Sequence, residues 1–271
     1  MMEGWRVLIT GASSGIGREV ALEFARKGAQ LILAARRMDA LRQVREQINT
    51  ALPGAPDPLV VSCDVSDSKN VKKLVEISVR RFKGIDVLVN NAGIGVYGDT
   101  GLTALADFRA VMDVNFFGSV RCILEVLPYM KKEGRGLIVN VASVAAMYGV
   151  PFLGAYCASK AALVALSQSL RAELSGSGVS LMIVYPGYTQ TEFFWKEKKV
   201  GRVRRPRGPY SSPVKVAKAI VKAVQCQKRN LVLSLEGKTL PLFQGILPLL
   251  IERVMERIAF QLRDGQEVSH V

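Results

Sequence analysis

The chain has 271 residues, of which 49% are hydrophobic, and a formal net charge of +14. A chain of this length can bury a large core, and its apolar content excludes extended disorder. The first apolar run, at residues 7–9, is too short for a secretory signal, so we expect a cytoplasmic protein. The cysteines Cys63, Cys122, Cys157 and Cys226 show neither CxxC nor metal-ligand spacing, which predicts free thiols and no metal site.

Short apolar runs alternate with helical patterns along the chain. Strands are predicted at residues 7–10, 31–34, 59–62, 87–89, 136–142 and 179–185, with a seventh at 231–235. Helices are predicted between them at residues 15–27, 38–48, 69–82, 104–132 and 155–175. Short strands separated by amphipathic helices indicate a parallel sheet that is covered on both faces. We therefore predict a single-domain α/β fold with a doubly wound, Rossmann-type sheet of about seven strands.

In such a fold the ligand lies beyond the carboxyl ends of the strands. Gly11, Gly15 and Gly17 follow the first strand, where they would let the backbone approach a pyrophosphate at a helix N-terminus. Polar or glycine signals follow the next five strands in turn: Arg36 and Arg37, Asp64, Asn90 to Gly93, Ser143, and Pro186-Gly187. Each could be an ordinary turn or helix cap, but six in order predict a dinucleotide site.

The same glycine turn allows a second interpretation. Residues 11–15 match the G-x-S-x-G nucleophile elbow of serine hydrolases, whose serine needs a histidine to take its proton. The only histidine is His270, one residue from the C-terminus in a polar tail. The hydrolase interpretation is therefore disfavoured.

Tyr156 and Lys160 stand four residues apart on a predicted helix. Residues at this spacing share a face, so the Lys160 ammonium can favour the Tyr156 phenolate and lower a pKa that is ordinarily about 10. A lone Y-x-x-x-K pair usually marks a solvated helix face. Its position downstream of the glycine turn favours a pair that binds a nucleotide and moves a proton.

The chain contains a series of short motifs: TGASSGIG at residues 10–17, CDV at 63–65, NNAG at 90–93, Asn115, Ser143, YCASK at 156–160 and PGYTQT at 186–191. They give the chain, from about residue 5 to residue 192, a resemblance to the short-chain dehydrogenase/reductase family. The resemblance implies that Tyr156 is the general acid and base, that Lys160 lowers its pKa and holds the nicotinamide ribose, that Ser143 binds the reacting oxygen, and that Asn115 supports a water path for reprotonation.

The resemblance also implies a set of cofactor contacts. They are Gly11, Ser13, Ser14, Gly15, Ile16, Gly17, Arg36, Arg37, Asp64, Val65, Asn91, Ala92, Gly93, Tyr156, Lys160, Pro186, Gly187, Thr189 and Thr191. NAD-preferring members of the family carry an acidic residue at the end of the second strand, where this chain has Ala35. Arg36 and Arg37 follow, and guanidinium groups suit a 2′-phosphate, so we predict NADP(H) rather than NAD(H).

The segment after the sixth strand is expected to be a mobile substrate lid, at about residues 189–212. Ser143, Tyr156, Phe193 and Phe194 are the predicted substrate contacts. Residues 196–229 carry twelve Lys or Arg and one acid, Glu197, which suits an anionic carrier or an acidic membrane surface. The alternative is a solvated, partly disordered basic loop.

A C-terminal extension, residues 236–271, follows the predicted catalytic domain of residues 1–235. Its apolar stretch at 240–251 contains two prolines and is too short to span a bilayer, and an amphipathic helix is predicted at 252–263. The extension could lie on a membrane, close the substrate pocket or pair with another subunit. With Phe193 and Phe194 it favours a hydrophobic substrate, of acyl, steroid or sphingoid type. Many members of the family end soon after the seventh strand, so the extension is a departure that puts the family's usual tetramer in doubt, and we expect a homo-oligomer that is a dimer or a tetramer.

We consider three hypotheses for the function of this sequence. The first is an NADP(H)-dependent oxidoreductase that interconverts a secondary alcohol and a ketone. The second is a non-catalytic dinucleotide sensor or scaffold, against which the full set of Asn115, Ser143, Tyr156 and Lys160 argues. The third is nucleic-acid binding through the net charge of +14, but no aromatic and basic interleaving accompanies that charge, so we expect no nucleic-acid partner.

Overall fold

In the computed structural model the described residues are 2–193, 198–204 and 210–263, without the side chains of residues 240–245. Nine strands lie within these ranges: β1 (Arg6–Thr10), β2 (Gln30–Ala35), β3 (Leu59–Ser62), β4 (Val87–Asn90), β5 (Val96–Gly98), β6 (Gly136–Val141), β7 (Val179–Tyr185), β8 (Lys198–Val200) and β9 (Asn230–Val232). The nine α-helices there are α1 (Gly15–Ala25), α2 (Met38–Ala51), α3 (Ser68–Phe82), α4 (Leu105–Met112), α5 (Gly118–Glu133), α6 (Gly154–Glu173), α7 (Pro213–Gln225), α8 (Leu235–Ile246) and α9 (Pro248–Leu262).

Seven of these strands form one sheet in the order β3-β2-β1-β4-β6-β7-β9, and every pair is parallel. The order reverses direction between β1 and β4, which opens a crevice at the carboxyl ends of these two strands. Alternate strand residues pack into two cores, with Val7 and Ile9 on one face of the sheet and Leu8 on the other. The predicted doubly wound, Rossmann-type sheet is confirmed.

The predicted helix at residues 104–132 is interrupted. A π-helical turn, Asp113–Phe117, separates α4 from α5 and carries the buried Asn115. A wider turn of this kind is common at functional sites because it changes where the side chains point. The apolar periodicity continues across the turn, so the sequence pattern alone could not reveal it.

The predicted seventh strand also ends earlier than expected. β9 stops at Val232, and the Ser234 hydroxyl then accepts a hydrogen bond from Gly237 N at 3.0 Å. This contact caps the start of α8, so Leu235 is the first residue of a helix rather than the last of a strand. β5 and β8 form a second, two-stranded parallel sheet, which the sequence did not predict.

The basic stretch is not a loop throughout. α7 buries Val216, Ala217 and Ile220 in the core that also contains α1, and it exposes its lysines. The interpretation of this stretch as a solvated loop is wrong for Pro213–Gln225, because apolar residues recur there at helical spacing.

The C-terminal helices pack close to the predicted substrate side. Ile258, Ala259 and Leu262 of α9 join a cluster that contains Phe152 and Leu153. Arg204 N donates to Leu262 O at 2.7 Å, and Tyr97 Oη donates to Arg204 O at 2.6 Å. Within the described residues, the helices are all too short or too polar to cross a bilayer.

Candidate active site

A cavity of about 500 Å³ lies along the carboxyl ends of the central strands. Its lining includes most of the predicted cofactor and catalytic residues: Gly11, Ser13, Ser14, Gly15, Ile16, Arg36, Arg37, Asp64, Val65, Asn91, Ala92, Gly93, Ser143, Tyr156, Lys160, Pro186, Gly187, Thr189 and Thr191. The fold therefore brings together side chains from six strand ends in one space.

The glycine turn forms the floor of one end of this cavity. Gly11 and Gly15 have φ angles of +64° and +57°, in the left-handed region that favours glycine. A Cβ at Gly17 would collide with the Gly11 carbonyl oxygen, so Gly17 shapes the turn although it does not line the cavity. The first turn of α1 has no side-chain cap from Ser14 and no acidic residue. An uncapped helix N-terminus of this kind suits a pyrophosphate.

Asn91 ties the ends of β1 and β4 together. Its Nδ2 donates to Thr10 O at 3.0 Å and to Gly11 O at 3.2 Å. Thr10 Oγ1 accepts from Asn91 N and Ala92 N, each at 3.1 Å. The Asn91 side chain thus holds the glycine turn in place from within the cavity wall, and Thr10 is a positioning residue that our sequence analysis did not single out.

The end of β2 is neutral and is followed by two positive charges. Ala35, Arg36 and Arg37 all line the cavity. Arg37 Nη2 lies 3.4 Å from Glu192 Oε2, and both side chains are about half exposed. A pair this exposed contributes little to stability, so it leaves the Arg37 guanidinium able to change partners.

Asp64 follows β3 with one oxygen committed to its own loop. Its Oδ1 accepts from Ser66 N at 3.0 Å and from Ser66 Oγ at 2.7 Å. These contacts fix the carboxylate beside Val65 at the cavity wall. The helix-cap alternative does not apply to Asp64, because Asp67 caps α3.

Asn115 lies behind the cavity wall and does not line it. Its Oδ1 accepts from Ile94 N at 2.8 Å, and its Nδ2 donates to Ile94 O and Ser159 Oγ, both at 2.9 Å. Ser159 Oγ in turn donates to Tyr156 O at 2.8 Å. The completely buried Asn115 amide therefore clamps the loop after β4 to the helix that carries Tyr156.

Ser143 ends the segment after β6. Its hydroxyl accepts from Ala145 N at 3.1 Å and caps a short 3₁₀ turn, Val144–Ala146. This contact uses one lone pair of the oxygen and leaves the hydroxyl proton to be donated elsewhere. Ser143 and Tyr156 line the same cavity.

Lys160 is nearly completely buried beneath Tyr156. Its Nζ donates to Val141 O at 2.8 Å and lies 5.9 Å from the centre of the Tyr156 ring. Burial away from water lowers the pKa of Lys160 to about 8. The charged form of Lys160 is therefore destabilised by burial, and any negative group in the cavity would stabilise it.

The other end of the cavity is mainly apolar. Val144, Ala145, Val150 and Leu153 line it together with Tyr148 and Phe193. The Phe193 ring packs at 5.5 Å from the Tyr156 ring, centre to centre. Burial raises the pKa of Tyr148 to about 12, so its hydroxyl stays neutral. Phe194, the other predicted aromatic contact, lies outside the described residues.

Several wall residues were missed by sequence reasoning. Tyr148, Val150 and Leu153 lie between Ser143 and Tyr156 in the chain, and that position between two site residues was the available signal. The start of α8 was also missed: a Cβ at Gly237 would lie 2.5 Å from Val144 Cγ1, and Glu236 is close enough to contribute to the raised pKa of Tyr148. The C-terminal extension thus packs against the apolar end.

A glycine turn at a helix N-terminus, and a partly buried tyrosine above a buried lysine on the same cavity, define a class of dinucleotide-binding oxidoreductases. Residues 6–200 match the family model described as short chain dehydrogenase. The chain belongs to this family.

Curated relatives cover most of the chain. It is 33% identical over 276 aligned positions to a Drosophila melanogaster "Dehydrogenase/reductase SDR family protein 7-like", covering 99% of this chain and 84% of that one. It is 36% identical to an 11-beta-hydroxysteroid dehydrogenase of Pinus massoniana (80% and 61% covered). It is 38% identical to a 3-oxoacyl-acyl-carrier-protein reductase of Thermotoga maritima (81% and 90% covered).

Solved structures agree with the fold and with a nicotinamide dinucleotide cofactor. A short chain dehydrogenase/reductase of Burkholderia phymatum in complex with NAD aligns with a TM-score of 0.80 at 25% identity, covering 100% of this chain and 99% of that one. An alcohol dehydrogenase of Thermococcus sibiricus complexed with 5-hydroxy-NADP aligns with a TM-score of 0.75 at 27% identity, covering 84% and 95%.

Proposed function

We propose that this dehydrogenase/reductase uses NADP(H) to interconvert a secondary alcohol and a ketone on a lipophilic substrate. The observation that carries the proposal is the single cavity that joins the glycine turn, Tyr156 with Ser143, and an apolar end. A cofactor held at the glycine turn and an apolar substrate held near Phe193 would meet beside the Tyr156 hydroxyl.

Tyr156 is proposed as the general acid and base. In reduction its hydroxyl would donate a proton to the carbonyl oxygen, and in oxidation the phenolate would take the proton from the alcohol. Ser143 would donate its hydroxyl proton to the same oxygen and fix its position. When bound, NADP(H) supplies the hydride or accepts it.

Lys160 is proposed to act through charge. Its ammonium would favour the Tyr156 phenolate and would hold the nicotinamide ribose hydroxyls. Asn115 is proposed as a positioning residue, because its amide hydrogen bonds go to Ile94 and Ser159. Loss of this clamp should shift α6, and Tyr156 with it, rather than remove a group that contacts the substrate.

NADP(H) preference is the first testable part of the proposal. Arg36 and Arg37 would pair with the 2′-phosphate, and Ala35 leaves room for it without charge repulsion. We expect Ala35→Asp to lower kcat/KM for NADPH by about 10- to 100-fold, the equivalent of 1.4 to 2.8 kcal/mol, and to raise it for NADH. Steady-state kinetics with both cofactors measures this change.

The matched control is Ala51→Asp, which adds the same charge at an exposed position at the end of α2. This variant should leave the ratio of the two cofactors unchanged. A wild-type enzyme that already uses NADH better than NADPH would contradict the proposed preference and leave the proposed reaction intact.

The lipophilic substrate is the second testable part. The apolar cavity end supports it, and so do the two relatives whose names specify hydroxysteroid and 3-oxoacyl activity. In NADPH oxidation assays over ketones of increasing apolar size, we expect kcat/KM to rise about fourfold for each methylene that is buried, from about 0.8 kcal/mol per methylene. Turnover confined to small polar ketones would contradict this expectation, and tight NADPH binding without any turnover would favour a sensor.

A further inference from the structure

α9 has two apolar sides. At 100° per residue, Ile251, Met255, Ile258 and Leu262 fall on one side of the helix, and Ile258 and Leu262 pack against the cluster around Phe152. Ile258 and Leu262 belong to the amphipathic pattern that the sequence predicts at residues 252–263, whereas Val254, the third apolar residue of that pattern, is 38% exposed. Packing of this inner side leaves the opposite side of the helix to be explained.

The opposite side is exposed and combines large apolar residues with polar ones. The exposed fraction is 69% for Leu249, 52% for Leu250, 38% for Val254 and 63% for Phe260. Helical geometry places the exposed Arg253, Arg257 and Gln261 among these four residues and places Glu252 and Glu256 at one border. We call Leu249, Leu250, Arg253, Val254, Arg257 and Phe260 the outer face of α9.

The apolar surface continues into the junction of the two C-terminal helices, where Ile246 ends α8 and Leu247 precedes α9. Ile246 and Leu247 are 74% and 47% exposed there. Seven of the thirteen exposed large apolar side chains in the described part of the chain lie at residues 235–260. Single exposed leucines are ordinary, but a concentration of this kind marks a surface that is covered by something else.

We propose that the outer face of α9, together with Ile246 and Leu247 at the junction of α8 and α9, docks on an anionic lipid bilayer. A helix in the membrane interface combines apolar side chains, which enter the acyl boundary, with arginines, whose stems lie along the apolar surface while the guanidinium groups reach lipid phosphates. A helix face that is exposed only to solvent is ordinarily polar, and this one carries four large apolar side chains.

The charge around the helix pair favours an anionic surface. Residues 198–235 contain eleven Lys or Arg and no acid, and three of these, Lys215, Lys218 and Lys222, stand on α7. One part of this segment touches the end of α9 through Arg204 N and Leu262 O, and another part leads through Arg229 directly into β9 and α8. The exposed Arg202 and Arg204 therefore stand beside the C-terminal end of α9, where anionic lipid would attract them.

Docking would place the cavity next to the membrane. The inner side of α9 packs with Leu153, and Leu153 lines the apolar end of the cavity. An apolar substrate dissolved in the bilayer would then have a short path to Tyr156. The docking does not depend on the proposed reaction, so it can be tested without cofactor or substrate.

The test is co-sedimentation of the full chain with vesicles of phosphatidylcholine alone and of phosphatidylcholine mixed with phosphatidylserine. We expect binding to the anionic vesicles, and we expect Leu249→Glu with Leu250→Glu to weaken it by at least about tenfold. Glutamate in the first turn of a helix is favourable, so this variant should keep α9 folded. Leu102→Glu with Leu105→Glu is the matched control, because it adds the same two charges at leucines that are 67% and 63% exposed outside the C-terminal helices.

The arginines are tested separately. Arg253→Gln with Arg257→Gln should weaken binding to anionic vesicles by about 30-fold, from about 1 kcal/mol for each charge near the surface. Lys218→Gln with Lys222→Gln removes the same charge from the exposed side of α7 and should have a smaller effect.

Three results would overturn the proposal. The first is no binding of the wild type to anionic vesicles at low salt. The second is binding that the outer-face variants leave unchanged or that the α7 variant weakens equally, which would assign it to general basic charge. The third is a wild-type dimer in light scattering that Leu249→Glu with Leu250→Glu dissociates in the absence of vesicle binding, which would make the face an interface between two copies.

Discussion

Tyr156→Phe is expected to lower kcat/KM for ketone reduction by about 10²- to 10⁴-fold, the range of general acid-base catalysis. The substitution removes only the hydroxyl. The ring remains to pack against Phe193, 5.5 Å away, so the wall of the cavity should be preserved. NADPH affinity, measured by fluorescence titration, should change little, because the substitution leaves the proposed cofactor contacts at the glycine turn and at the end of β2 intact.

Tyr148→Phe is the control from the same cavity. Tyr148 also carries a hydroxyl on the lining, but burial raises its pKa to about 12, so it is a poorer acid. We expect its loss to alter KM more than kcat. If Tyr156→Phe kept most of the activity and Tyr148→Phe abolished it, Tyr148 would be the proton donor and our assignment would be wrong.

The sequence predicted the sheet well because the strands are local. Each central strand is a short apolar run that ends at glycine or polar residues, and Leu59–Ser62 and Val179–Tyr185 lie at the predicted limits. The sequence could also predict that the residues at the strand ends share one site. Parallel strands place their carboxyl ends at one edge, so residues as distant as Gly11 and Pro186 line one cavity without any contact being known in advance.

What the sequence could not predict depends on long-range contacts. β5 and β8 pair across about a hundred residues, and neither is long enough to show a pattern of its own. Asn115 sits in a π-helical turn that is held by Ile94 and Ser159, which come from two other elements. Nothing in the sequence around Gly237 indicated that this residue packs closely against Val144 in the fold.

The buried Lys160 ammonium is expected to lower the stability of the folded protein. Burial lowers the pKa of Lys160 from an ordinary 10.5 to about 8. At neutral pH the folded protein therefore holds a charged ammonium in a buried site where charge is unfavourable. The shift corresponds to about 3 kcal/mol at about 1.4 kcal/mol per pKa unit. The hydrogen bond to Val141 O offsets part of this cost, typically by about 1 kcal/mol.

Lys160→Met is therefore expected to inactivate the enzyme and to raise its free energy of unfolding at about pH 7 by about 2 kcal/mol, the difference between these two contributions. The sign follows from linkage. Between the folded pKa of about 8 and the unfolded pKa of 10.5, the unfolded chain binds more protons than the folded chain, so wild-type stability should rise with pH across this window. The methionine variant should lack that rise.

Urea unfolding of the cofactor-free proteins at about pH 7 and about pH 10 measures both effects. Lys218→Met is the control, because Lys218 is exposed on α7 and should change stability little at either pH. A Lys160→Met variant that was less stable than wild type by the same amount at both pH values would show that the buried ammonium carries no penalty. The expected pattern would instead mean that the fold keeps a destabilising cation next to Tyr156, a cost that evolution retains only where the charge is used.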